Sequence, residues 1–125
     1  MLIVNDEPNI VQLVRITLED SRVTVLEAAD GETALDRAAA LRPDLIFLDV
    51  DLPDLSGLEV CRRIREDARL ARTKVVMLTA AAQRDDVARG LEAGADQYLT
   101  KPFSPVKLLS LVEQLMPRTI QWLPE

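Results

Sequence analysis

Residues 45–49, Leu45-Ile46-Phe47-Leu48-Asp49, run four apolar side chains into a carboxylate, and Val50-Asp51-Leu52-Pro53 follows at once. A short unbroken apolar run reads as a parallel strand buried on both faces. The carboxyl end of such a strand is where open α/β sheets bind ligands. Three other segments repeat the arrangement. Leu2-Ile3-Val4 runs into Asn5-Asp6-Glu7, Val75-Val76-Met77-Leu78 into Thr79, and Gln97-Tyr98-Leu99-Thr100 into Lys101-Pro102. Four strand ends thereby deliver Asp6, Asp49, Thr79 and Lys101 to one edge of one sheet.

Helical patterns separate these strands. Pro8 suits the first turn of a helix reaching about Asp20, with Ile10, Leu13, Val14, Thr17 and Leu18 as its inward stripe. A second strand is expected over 23–28. Asp30-Gly31 then opens an alanine-rich helix carrying Ala34, Leu35, Ala38 and Leu41, and Pro43 precedes the strand over 44–49. Ser56 is an N-cap candidate with Glu59 as its capping-box partner, for a helix over 57–66. A strand over 74–79 leads to a fourth helix over 84–93, where Asp85 and Asp86 serve as caps and Gly94 closes at C′. The fifth strand covers 97–100, and Ser104 with Pro105 opens a fifth helix to about Met116. Five alternations of strand and helix imply right-handed crossovers and a parallel sheet covered on both faces.

The chain has 125 residues, 48% of them hydrophobic and 29% charged, which suits one globular domain with a full core. Its net charge of −6 favours solubility and argues against direct nucleic-acid binding. Arg62, Arg63 and Arg65 lie at helical spacing beside Glu59 and Glu66, the pattern of a solvated helix face. One cysteine and no histidine exclude a disulfide framework, His-Cys zinc sites and Ser-His or Cys-His nucleophile pairs. Cys61, among Leu58, Val60 and Ile64, reads as a small buried hydrophobe. No signal peptide and no apolar run of ~18 residues is visible, so a cytoplasmic protein without membrane contact is expected.

Asp6, Glu7, Asp49 and Asp51 concentrate negative charge at the site edge, with Lys101 as counter-charge. Hard carboxylate oxygens suit Mg²⁺, which keeps waters and bridges to phosphate. A carboxylate beside such a metal can attack phosphorus and form an acyl phosphate. Mg²⁺ and the Lys101 ammonium would neutralise the equatorial oxygens, and Thr79 would donate a hydrogen bond. Glu7 by itself reads as a solvated first-turn acid favoured by the helix dipole, and Asp54 as a loop residue.

The set Asn5-Asp6-Glu7-Pro8, Asp49 with Pro53 and Gly57, Thr79-Ala80, and Lys101-Pro102-Phe103 resembles the CheY-like receiver domain of two-component response regulators. The resemblance covers about residues 1–116, leaving 117–125, with Trp122, as a tail or the start of a linker. It implies an α/β fold, a three-layer (βα)5 flavodoxin-like sandwich with a five-stranded parallel sheet of order 2-1-3-4-5. It implies that Asp49 accepts a phosphoryl group from a sensor histidine kinase or histidine phosphotransfer protein. The metal would be Mg²⁺, with Mn²⁺ able to substitute, held by Asp6, Asp49 and the backbone carbonyl of Asp51. Thr79 and Tyr98 would form the switch, Lys101 would pair with the phosphoryl group, and the Lys101-Pro102 bond would be cis. Asp51 and Ala81 would flank the site and tune phosphoryl lifetime.

A downstream output protein or domain is implied, and a homodimer through the fourth helix, fifth strand and fifth helix is a further reading. Such a domain is no turnover enzyme; its chemistry is its own phosphorylation and dephosphorylation. Asn5 departs from the pattern, standing where the family usually has an acid. It would reach the metal through a water and weaken it, which makes a pseudo-receiver used only for protein contacts the alternative. Asp49-Val50-Asp51 also resembles the nucleophile motif of haloacid-dehalogenase-like phosphatases, but no acidic pair follows Lys101. Nothing in the chain names a kinase, an output or a pathway.

Overall fold

A computed structural model of the chain describes residues 1–19, 24–80, 93–101 and 104–115, with the backbone alone for Ala80 and Lys101. The helix expected over 84–93, with Asp85 and Asp86, lies outside the described residues as far as Glu92. So do Ala81, Pro102, Phe103, Met116 and the tail with Trp122.

The strands are β1 (Leu2–Val4), β2 (Leu26–Ala28), β3 (Leu45–Asp49), β4 (Lys74–Ala80) and β5 (Gln97–Lys101). The helices are α1 (Pro8–Leu18), α2 (Gly31–Leu41), α3 (Gly57–Glu66) and α4 (Pro105–Leu115), with a 3-10 turn at Ala68–Leu70. All strand pairs are parallel, in the order β2-β1-β3-β4-β5. This is the flavodoxin-like order, whose switch point lies between β1 and β3.

The sheet is apolar on both faces because both are covered. Leu2, Val4, Ile46, Leu48, Val75 and Met77 pack with α2 and α3. Ile3, Leu45, Phe47, Val76, Leu78 and Leu99 pack with α1 and α4. Phe47, at the centre, is fully buried.

Several elements differ in detail from the sequence pattern. In α1 the buried residues are Val11, Val14 and Leu18, while Ile10, Leu13 and Thr17 are half-buried. Leu41, expected inward, is 48% exposed at the end of α2. Strand β2 starts at Leu26, which pairs with Leu2 at the start of β1, and the preceding Val25 N–H, on the open edge, donates to the Glu19 carboxylate at 3.1 Å.

The caps follow local chemistry. Asp30 accepts the Thr33 N–H at 2.7 Å, and Ser104 accepts the Lys107 N–H at 3.2 Å. Ser56 accepts the Leu58 N–H at 3.1 Å, whereas the Glu59 carboxylate faces Arg62 and Arg63, each at 3.6 Å. Gly94 has φ +103°, the left-handed backbone expected of a helix-closing glycine.

Candidate functional site

The carboxyl ends of β1, β3, β4 and β5 share one edge, and the polar residues that follow the apolar runs collect there. Asp49 ends β3 and is 2% exposed. Carboxylate oxygens of Asp6, Glu7 and Asp49 lie within 4.8 Å of one another. Glu7 is exposed, in keeping with its reading as a solvated acid at the start of α1, and its carboxylate belongs to the concentration of charge that the sequence pattern placed at this edge.

The backbone holds this cluster in place through short turns. Asp49 Oδ1 accepts the Asp51 N–H at 3.1 Å, and the Val50 N–H donates to the Leu78 carbonyl at 3.0 Å. The Gly57 N–H returns to the Val50 carbonyl at 2.8 Å, seating the start of α3 on the end of β3. A Cβ on Gly57 would fall 2.0 Å from the Asp49 carbonyl oxygen, so only glycine permits this approach.

Asp54 anchors the far side of the same loop. Its two oxygens accept the Gly31 N–H at 2.7 Å and the Glu32 N–H at 3.0 Å, capping α2 from outside that helix. These bonds hold the Asp54 carboxyl below the usual carboxylate range. The sequence reading as a plain loop residue gave no hint of this bridge.

Beside the acids stand two buried polar groups. Thr79 is 2% exposed and its hydroxyl has no hydrogen-bond partner among the described residues. Asn5 is also 2% exposed; its Oδ1 accepts the Glu7 N–H at 2.8 Å, while its Nδ2 has no partner among the described residues. Buried unpaired polar atoms are costly and mark places where a ligand or water completes the structure. Tyr98, 41% exposed, lies on β5 opposite Met77, and the Lys101 backbone pairs with Ala80 at the strand end. The Lys101 side chain lies outside the described set. Three clustered carboxylates, one of them buried, form a donor set that fits a hard divalent cation.

A doubly wound parallel sheet with an acidic cluster beside its switch point defines the class: a flavodoxin-like domain with an anionic, cation-ready edge. The chain belongs to the response regulator receiver domain family, whose model matches residues 1–113. Receiver domains are signalling modules.

The chain is 44% identical over 119 residues to the alkaline phosphatase synthesis transcriptional regulatory protein PhoP of Bacillus subtilis, covering 95% of this chain and 49% of that protein. It is 45% identical, with the same two coverages, to the DNA-binding dual master transcriptional regulator RpaA of Synechocystis. The chain thus spans about half the length of the curated relatives it matches. Among solved structures, the chemotaxis response regulator CheY4 of Vibrio cholerae superposes with a TM-score of 0.86 at 35% identity, covering 92% of this chain and 96% of that one. The receiver domain of NtrX from Brucella abortus gives 0.84 at 28% identity, covering 94% and 98%. Among the described residues, no helix is long and apolar enough to cross a membrane.

Proposed function

We propose that this receiver is a phosphorylation switch in which Asp49 accepts a phosphoryl group from a sensor histidine kinase or histidine phosphotransfer protein. The observation that carries the reading is the buried Asp49 carboxylate at the end of β3, clustered with those of Asp6 and Glu7. An Asp49 oxygen attacks phosphorus, and the bond from phosphorus to the donor's nitrogen or oxygen breaks with its electron pair leaving on the donor. Mg²⁺, when bound, offsets the charge that gathers on the phosphoryl oxygens. Asp6, Asp49 and the Asp51 backbone carbonyl hold the cation, and Mn²⁺ substitutes for it.

Lys101 pairs with the transferred group. The buried Thr79 hydroxyl turns to the new phosphoryl oxygens, and Tyr98 follows it inward. This local electrostatic event biases the face formed by β5 and α4. That face contacts an output protein or domain, or a second copy; the names and double length of the relatives favour a transcriptional output. The intact clustering of three carboxylates supports a working acceptor over a pseudo-receiver.

The test is incubation with acetyl phosphate and excess Mg²⁺, followed by intact mass. One added phosphoryl group is expected, absent in Asp49→Ala and on chelation of the metal. Parent protein that stays unlabelled with donor and Mg²⁺ in excess sinks the reading.

A further inference from the structure

The loop over 50–56 is pinned at two points by different elements. At its front, Asp49 Oδ1 accepts the Asp51 N–H at 3.1 Å, and the Gly57 N–H returns to the Val50 carbonyl at 2.8 Å. At its back, the two Asp54 oxygens accept the Gly31 N–H at 2.7 Å and the Glu32 N–H at 3.0 Å, reaching back 23 and 22 positions to α2. Leu55 closes the same contact, for a Cβ on Gly31 would fall 2.9 Å from the Leu55 Cβ.

Burial does not compel the Asp54 bonds, because Asp54 is exposed and water could serve its carboxylate. Nor does α2 lack an N-cap of its own, since Asp30 accepts the Thr33 N–H at 2.7 Å. What Asp54 adds is attachment of the loop to a helix that the loop does not build. The Asp51 carbonyl lies between the two pins, with Leu52 and Pro53 separating Asp51 from Asp54. Pro53 has a fixed φ and biases Leu52 toward extended backbone, so this link is stiff.

We propose that Asp54 is a positioning residue for phosphoryl transfer: by tying the loop to the first turn of α2, it fixes the Asp51 carbonyl before cation and phosphodonor arrive. A loop ordered in advance need not be ordered by the cation, and the difference appears as affinity. This rests on the phosphoacceptor reading, which puts the cation at that carbonyl.

Three variants of the whole chain separate attachment from capping. D54A removes both bonds to α2. D54N keeps one acceptor oxygen and turns the other position into a donor. D30A removes the Thr33 cap from the same helix, and one carboxylate charge, while leaving the loop attached. Each is followed by urea midpoint, by Mn²⁺ titration with electron paramagnetic resonance of the free ion and no phosphodonor, and by acetyl phosphate labelling with Mg²⁺.

D54A should weaken Mn²⁺ binding about tenfold, the loss typical of removing a group that orients a metal ligand, and labelling should slow with it. D54N should fall between D54A and the parent. D30A should lower the urea midpoint as D54A does, yet bind Mn²⁺ and label like the parent. Should D54A not fold, D54N decides by binding more weakly than D30A.

D54A, or D54N in its stead, binding Mn²⁺ as tightly as the parent overturns the proposal and leaves the phosphoacceptor reading standing. D30A binding as weakly as D54A also overturns it, reducing Asp54 to a helix cap. A parent that takes up neither Mn²⁺ nor a phosphoryl group overturns the reading itself, and the proposal with it.

Discussion

The α-carbon of Gly57 is pressed against the carbonyl oxygen of Asp49 so closely that an added Cβ would lie 2.0 Å away. The helix start and the reactive strand end are therefore a single packed unit. Gly57→Ala must push one of them aside, at a cost of about 1–3 kcal/mol. Urea unfolding should show the loss as a lower midpoint. Acetyl phosphate labelling of the variant should slow as well, because the displaced group is the backbone of Asp49 itself.

Thr79 has the opposite signature. A buried hydroxyl without a partner among the described residues costs free energy in the unmodified protein, so Thr79→Val should unfold at an equal or higher urea midpoint, with a gain of about 1 kcal/mol. The same variant should still accept a phosphoryl group but should no longer move Tyr98, read as a loss of the phosphorylation-dependent change in tyrosine fluorescence. A clear loss of stability would show that the hydroxyl is satisfied in solution.

Asp96 is a structural clamp. One of its oxygens accepts both the Arg65 guanidinium and the Val75 N–H, each at 2.8 Å, while Arg65 Nε donates to the Gly94 carbonyl at 2.8 Å. Asp96→Ala leaves a partly buried N–H unpaired and should cost about 2 kcal/mol. Asp96→Asn keeps an acceptor and should cost less. Thermal unfolding of the pair checks the order.

Cys61 is fully buried in the core on the α2 and α3 side of the sheet, and burial pushes its thiol up to about 11. Its sulfur lies 3.5 Å from the Ala93 carbonyl. Alkylation at pH 8 should therefore proceed only as fast as the protein opens. The folded thiol ionises later than the unfolded one, so its contribution to stability is complete below the ordinary value of 9.0 and is lost as pH rises toward about 11. Cys61→Ala should flatten that alkaline decline.

The strands were legible because buried parallel strands write themselves as apolar runs, and the site edge followed from what came after each run. Helix phase was less legible. In α1, Ile10, Val11, Leu13, Val14 and Ile16 are all apolar, so the pattern admits more than one inward face; the fold buries Val11 and leaves Ile16 71% exposed. The start of β2 depends on where its partner β1 begins, opposite Leu2, which the hydrophobicity of residues 23–25 does not register. At the site, Asp49 and Thr79 were placed correctly at their strand ends. The Arg65 clamp was not legible, because it joins residues 29 and 31 positions apart.

Asp54 belongs to two structures at once, as a member of the loop after Asp49 and as an outside cap for α2. Any excursion of that loop must release the Gly31 and Glu32 N–H groups, while Asp30 keeps that of Thr33, so the amide protons of Gly31 and Glu32 become timers for the site. Their deuterium uptake should slow when cation and phosphoryl group fix the loop, and should quicken in Asp54→Ala. Because the folded Asp54 carboxyl titrates below its ordinary value of 3.8, the link is complete above that value. It fails as pH falls through the folded one, so in acid the two protons should exchange as they do in the variant. An event at one strand end is thus recorded in the exchange clock of a helix that contributes no member to the acidic cluster.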